Sequence, residues 1–242
     1  MDEYAKMTSI EVSEWKNRME ADPSFSNALA KRLQVRINKI IPEKLHVAIT
    51  GAIKQMIRAV CFGVGFTTKE AATGMLLEEV EKKVDEKIIF YARTAAAEGA
   101  ATGAAGILVG LADFPLWLTL KMKMLFELAA LYGYNAKDYK ERLFLLYIFE
   151  LTFSSQENRQ KIFRVVEHWD DYAQTLPENM DEFDWRTFQQ EYRDYIDIAK
   201  LLQLVPGIGA VVGALVNLRL TKKLGRTAKN AYRLRALSLQ GD

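Results

Sequence analysis

From Gly99 to Leu120 the chain carries one charge, Asp113, placed two residues before Pro115 where small Gly and Ala residues give way to large apolar ones. Such a stretch reads as a close-packed helical hairpin with an acid at its bend. Gly99, Gly103 and Gly106 lie nearly under one another on a helix and let a second backbone approach closely. The spacing returns as Gly209 and Gly213 in a second uncharged run, residues 201–218, LLQLVPGIGAVVGALVNL. Glycine inside a helix costs roughly 0.5–1 kcal/mol relative to Ala unless a close contact compensates. The two segments are therefore expected to pack on each other, as the centre of a single all-α, multi-helix domain.

With 242 residues, half of them hydrophobic, the chain can bury a sizeable core. Residues 1–22 read as an N-terminal helical extension to a domain spanning 23–242. The 33 basic and 31 acidic side chains nearly cancel, so no overall field draws the chain to nucleic acid. Cys61 is the single cysteine and has no partner for an intramolecular disulfide, and MDEYAKM lacks the layout of a signal peptide. The expected location is cytoplasmic. Pro206 and its glycine neighbours interrupt the run 201–218, which argues against a membrane span.

Taken in order, Thr8 with Glu11 has capping-box spacing for a helix to about Glu20, and Asp22-Pro23 stops it and starts a helix to about Ile41. A third helix begins at Pro42. Thr67 and Glu70 repeat the capping spacing before a helix from about Ala71, with Leu76, Leu77, Val80, Val84, Ile88 and Phe90 to one side. Its run EEVEKKVDEK reads as a solvated face, with Glu79–Lys83 at ion-pair spacing. Gly133 is the expected left-handed cap of the helix after Pro115, and Asn135 the start of the next. That next helix, with LFLLYIFEL apolar on several faces, should be central. Residues 154–176 and 181–204 also read as helical, with Ile162, Phe163, Val166 and Trp169 on one apolar face.

Asp113 suits the N-cap of the helix containing Pro115, where an acid complements the helix dipole. The other reading is a functional acid, since a carboxylate between apolar segments must be capped, paired or used. It is expected at the bend, near Asn217 or Arg219. Glu150 to Lys200 holds 12 acids and six bases, whereas Arg219 to Arg235 holds seven bases and no acid. Lys222, Arg226, Lys229 and Arg233 fall on one face of the last helix, an uncharged segment turning strongly basic. That layout suits a protein resting on anionic lipid, and equally a solvated face balancing the acidic region.

No catalytic constellation is present: there is no Gly-Lys-Ser/Thr phosphate loop, no His-Glu-x-x-His pair and no strand before the Gly-rich segments. No metal or cofactor site is read. His46 and His168 stand apart in sequence, and His168-Trp169-Asp170-Asp171 offers one imidazole.

Three ordered motifs carry a resemblance. They are the Asp113-x-Pro115 step, Tyr132-Gly133-Tyr134, and Pro206-Gly207-x-Gly209 continuing through Gly213 to Asn217. Together they resemble the EcsC family over residues 25–238, with Phe114 where the family has an aliphatic residue and with residues 170–184 matching least. The family is named for a protein encoded beside an ABC transporter. The resemblance implies an all-helical fold, a bacterial source and membrane association.

The leading functional expectation is a non-enzymatic accessory or regulatory protein, peripheral on the inner face of the membrane. It would bind anionic lipid or a membrane-protein partner through Arg219, Lys222, Lys223, Arg226, Lys229 and Arg233. A second is a carrier of an apolar ligand or lipid chain between helices lined by Phe114, Trp117, Leu120, Phe126 and Phe149. A third is a hydrolase using Asp113 with Tyr132, Tyr134 or Glu98.

Overall fold

The computed structural model describes residues 3–21, 43–61, 71–105, 114–154, 156–195 and 210–238. They form α1 (Glu3–Glu20), α2 (Glu43–Cys61), α3 (Leu77–Ala105), α4 (Phe114–Leu131), α5 (Tyr139–Phe153), α6 (Gln156–Glu167), α7 (Trp169–Thr175), α8 (Trp185–Tyr195) and α9 (Ala210–Ser238), with a 3-10 turn at Met180–Glu182. The all-α expectation holds among the described residues.

The two 29-residue helices, α3 and α9, make the most extensive contact of the fold. They run antiparallel: Arg233 meets Glu81, Lys229 meets Asp85 and Gly225 meets Ile88. A Cβ built on Gly225 would lie 2.5 Å from Cγ1 of Ile88, so the absent side chain sets the spacing here. α4 is antiparallel to α3, with Lys87 2.8 Å from Glu127. It therefore runs alongside α9, where Trp117 meets Asn217 and Tyr132 stacks on Tyr232. α5 is buried throughout from Leu143 to Phe153, which makes LFLLYIFEL the central helix its apolar faces require. α1 packs into the same body through Trp15, edge-on to Phe163, and through Arg159, which donates to the carbonyls of Met19 and Ala21.

Several boundaries differ from the sequence expectation. Thr8 is no N-cap: α1 begins by Glu3, and Thr8 is buried inside it on the face that also buries Val12 and Trp15. Packing of that face extends the helix past a local start signal. α3 starts at Leu77, because the Ala72 N–H bonds instead to the Ala130 carbonyl and Gly74 adopts φ +75°. Its core side is Val80, Val84, Ile88 and Tyr91, whereas Leu76 and Phe90 are exposed. Glu79 accepts from the Leu76 amide at the start of the helix.

α5 is capped by Asp138, whose carboxylate accepts from the Lys140 amide, while Asn135 accepts from Lys137 in the preceding turn. Gly133 takes the expected left-handed conformation, φ +86°. The helical stretch 154–176 divides at His168 into α6 and α7, and α8 starts after Asp184, which accepts from the Thr187 amide. Ile162, Phe163, Val166 and Trp169 are all buried as expected.

The expected helix over 24–41, the Thr67/Glu70 box, Gly106, Asp113, Pro206, Gly207 and Gly209 lie outside the described residues. Gly103 and Gly213 belong to α3 and α9, which pack on each other; contact between the glycines themselves also lies outside what is described.

Candidate functional site

The antiparallel register sorts the central helices into a charged end and an apolar end. The run EEVEKKVDEK is solvated at Glu78, Glu79, Lys82, Lys83, Asp85 and Glu86 as expected, but Glu81, at the charged end, is wholly buried. Arg233 donates to both of its carboxylate oxygens, through Nε to Oε1 at 2.7 Å and through the second terminal nitrogen to Oε2. The Tyr4 hydroxyl donates to Oε2 at 2.6 Å, and Lys229 stands 3.2 Å from the same oxygen and 2.9 Å from Asp85. Burial opposes ionisation of Glu81. The bonds from Arg233 and Tyr4, with the charges of Arg233 and Lys229, outweigh it and hold the carboxyl below its ordinary range. Two residues on, Arg235 pairs with Glu141 at 2.8 Å and Asp170 at 2.9 Å and lies over the ring of Tyr134, 3.8 Å from its centroid.

This geometry divides the basic helix face. Arg233 is buried and joined to Glu81 and Glu11, and Lys229 is directed at Glu81 and Asp85. Lys223 donates to the Thr152 carbonyl at 2.7 Å. Arg219 and Arg226 are exposed and Lys222 is half-buried.

Of the motif residues, Tyr132 and Tyr134 pack their rings on Tyr232, with centroids 5.1 and 5.2 Å away, and the buried Tyr132 hydroxyl has no hydrogen-bond partner. Pro115 is exposed in the first turn of α4. Asn217 is buried and accepts from the Trp117 indole at 2.6 Å. That bond ties the start of α4 to the first half of α9. The start of α4 thus lies beside Asn217, while Asp113 itself, expected near Asn217 or Arg219 and one residue before α4, is outside the described residues.

At the apolar end the C-terminal turns of α3, the first turns of α4 and the first turns of α9 come together. Phe114 stacks on Trp117 at 5.5 Å, and Trp117 meets Phe153 of α5. Phe114, Trp117, Phe126 and Phe149 are core residues and Leu120 packs against them. Lys121 is wholly buried here. Its ammonium nitrogen lies 3.9 Å above the Trp117 ring without a hydrogen-bond partner, and burial pushes its pKa well down against the pull of Glu98. Leu116 and Leu215, by contrast, are 58% and 49% exposed.

A third feature was not singled out in the sequence. Glu150, the one acid inside LFLLYIFEL, is 2% exposed, and its Oε1 is buried without a partner. Burial, reinforced by the like charge of Glu191, raises its pKa to about 8. It lines a cavity of about 200 Å³ between α5, α6, α7 and α8. An acid inside a run that is apolar on every face was the available signal. Among the described residues no group of three or more His, Cys, Asp and Glu side chains has metal-holding geometry.

Residues 6–237 match the EcsC protein family. The chain belongs to this family. Protein EcsC of Bacillus subtilis (strain 168) is 43% identical over 228 residues, covering 94% of each chain. Uncharacterized protein YdbA of the same strain is 32% identical over 143 residues, which is 59% of this chain and 53% of that protein. No solved structure matches.

Proposed function

We propose that this EcsC-family chain is a non-enzymatic protein that rests on an anionic membrane surface by the apolar end of α3, α4 and α9, where it serves a membrane-protein partner as accessory or regulator. The observation that carries the reading is the helix register. Glu81 with Arg233 and Lys87 with Glu127 fix the directions of the three helices, so that residues 99–105, 114–120 and 210–218, all uncharged, share one end. Leu116 and Leu215 are exposed there.

The same registers set Arg93, Lys123, Arg219 and Lys222 near the level where charge resumes, alongside Glu98 and the buried Lys121. Arg93, Lys123 and Arg219 are exposed. Basic side chains next to an apolar surface suit the boundary between acyl chains and anionic headgroups, where each contributes about 1 kcal/mol. With Lys229, Arg233 and Arg235 held inside the fold, the electrostatic part of docking rests on Arg219, Lys222 and Arg226 of α9 rather than on the whole basic stretch. No described helix is long and apolar enough to cross a membrane, which fits attachment at the surface.

The test is flotation with vesicles of phosphatidylglycerol. The protein should float at low salt and dissociate as salt rises, because exposed charges are screened over about 10 Å at 0.1 M. Leu116→Glu and Leu215→Glu, at exposed positions, should reduce flotation while the melting temperature stays put. Absence of flotation at low salt would overturn the reading.

A further inference from the structure

The geometry points to a binding site for a small organic cation, an alkylammonium group, in the cavity between α5, α6, α7 and α8, with Glu150 as its counter-charge. This inference is independent of membrane docking, which involves other helices.

Four aromatic side chains wall the cavity: Tyr147, Tyr172, Phe188 and Tyr192. Tyr147 meets Tyr172 and Phe188 at interplanar angles of 86° and 73°, so the rings stand as walls at right angles rather than as a closed stack. The hydroxyls of Tyr147 and Tyr172 bond each other at 3.0 Å, and that of Tyr192 donates to the Leu146 carbonyl. One donor of the Tyr147–Tyr172 pair and that of Tyr192 are thus already committed, and the π systems of the rings attract cations.

Glu150 is the most buried carboxyl on the lining, with Oε1 unpartnered. The charged groups around it are few. α8 contributes Glu191, a like charge, and α6 contributes Lys161, which is exposed, while Oε1 of Glu150 accepts no hydrogen bond. Neither Tyr172 of α7 nor Tyr192 of α8 supplies a positive charge. A buried carboxyl whose Oε1 has no hydrogen-bond partner, with aromatic walls around it, matches the needs of an ammonium group. A quaternary or alkylated ammonium suits it better than a metal ion, because the largely aromatic and aliphatic lining adds only one further carboxylate, Glu191, and among the described residues no group of three or more His, Cys, Asp and Glu side chains has metal-holding geometry.

The linkage has a definite sign. Unoccupied, Glu150 stays protonated below its raised pKa of about 8, so binding a cation must expel a proton. Affinity therefore rises with pH, by up to about a hundredfold between pH 6 and pH 9, and levels off above that.

The experiment is calorimetric titration of the full-length protein with choline, and with 3,3-dimethylbutan-1-ol as its uncharged isostere. Saturable choline binding that strengthens with pH, releases a proton and is at least tenfold weaker for the isostere is the expected result. Glu150→Gln, which keeps the side-chain shape, should remove both binding and its pH dependence in a folded protein. Tyr172→Leu should weaken binding severalfold. A soluble short-chain phosphatidylcholine, run in parallel, separates a lipid headgroup from a free solute: tighter binding of the lipid assigns the former, tighter binding of choline the latter. No saturable choline binding at pH 9, equal binding of the isostere, or unchanged binding by Glu150→Gln would each overturn the site.

Discussion

Arg233 grips the carboxylate of Glu81 from 152 residues away, with Nε 2.7 Å from Oε1 and a second guanidinium nitrogen on Oε2, inside the contact between α3 and α9. Taking two charges out of water is costly, and the two-pronged geometry with the added Tyr4 and Lys229 contacts is what offsets it.

Removing one partner leaves the other charge buried and uncompensated. Arg233→Met should cost about 3–5 kcal/mol at pH 7 in a denaturant titration. Arg233→Lys should recover only part of this, because an ammonium cannot grip both oxygens. Glu81 has a lowered carboxyl pKa, so its contribution is present above the ordinary 4.5 and fades as pH falls through the lower folded value. The penalty of Arg233→Met should therefore shrink in acid. A penalty that stays constant from pH 7 to pH 3 would contradict the assignment.

Gly225 and Ile88 test the spacing of the same two helices. Gly225→Ala improves helix propensity by up to about 1 kcal/mol, yet sets a methyl 2.5 Å from Ile88. Overpacking of this kind costs about 1–3 kcal/mol, so the net change should be a lower melting temperature. Adding Ile88→Ala to that variant should make the double loss smaller than the sum, with a coupling of about 0.5–3 kcal/mol. Strict additivity would mean that the two residues do not touch.

At the apolar end, Asn217→Ala strands the buried Trp117 N–H and should cost about 1–3 kcal/mol. Asn217→Leu combined with Trp117→Phe removes both polar groups and should be better tolerated than Asn217→Leu alone. Thermal unfolding of these variants side by side decides it.

Glu150 makes the opposite prediction. Its pKa is raised from 4.5 to about 8, so the folded state holds a proton that the unfolded chain releases above pH 4.5. Stability is fully supported below that pH and declines as pH rises toward 8, by several kcal/mol at the order-of-magnitude level. Glu150→Gln should therefore raise the melting temperature at pH 8 and change it little at pH 4. A protein equally stable at both pH values, with or without the substitution, would show that Glu150 ionises normally.

Much of this protein was decided by local pattern. Apolar residues at helical spacing marked the helices, LFLLYIFEL announced the buried centre at α5, and Tyr132-Gly133-Tyr134 announced a left-handed stop that needs only glycine's missing Cβ. The motifs around Asp113-x-Pro115 and Pro206-Gly207 carried the family, since they depend on residue order alone.

Which charges stay in water was not written in that pattern. The periodicity of EEVEKKVDEK is the same whether Glu81 faces solvent or Arg233, and the basic stretch of α9 has the same spacing whether Arg233 meets lipid or Glu81. Thr8 looked like a cap until the packing of Trp15 and Val12 carried α1 past it. Only the antiparallel register of α3 and α9 brings distant charges within hydrogen-bond reach, because pairing across 152 residues is a property of how helices meet and not of any window along the chain. The same register gathers residues 99–105 and 210–218 at one end, and the meeting of α5 with α6, α7 and α8 leaves Glu150 in a cavity with its Oε1 unpartnered.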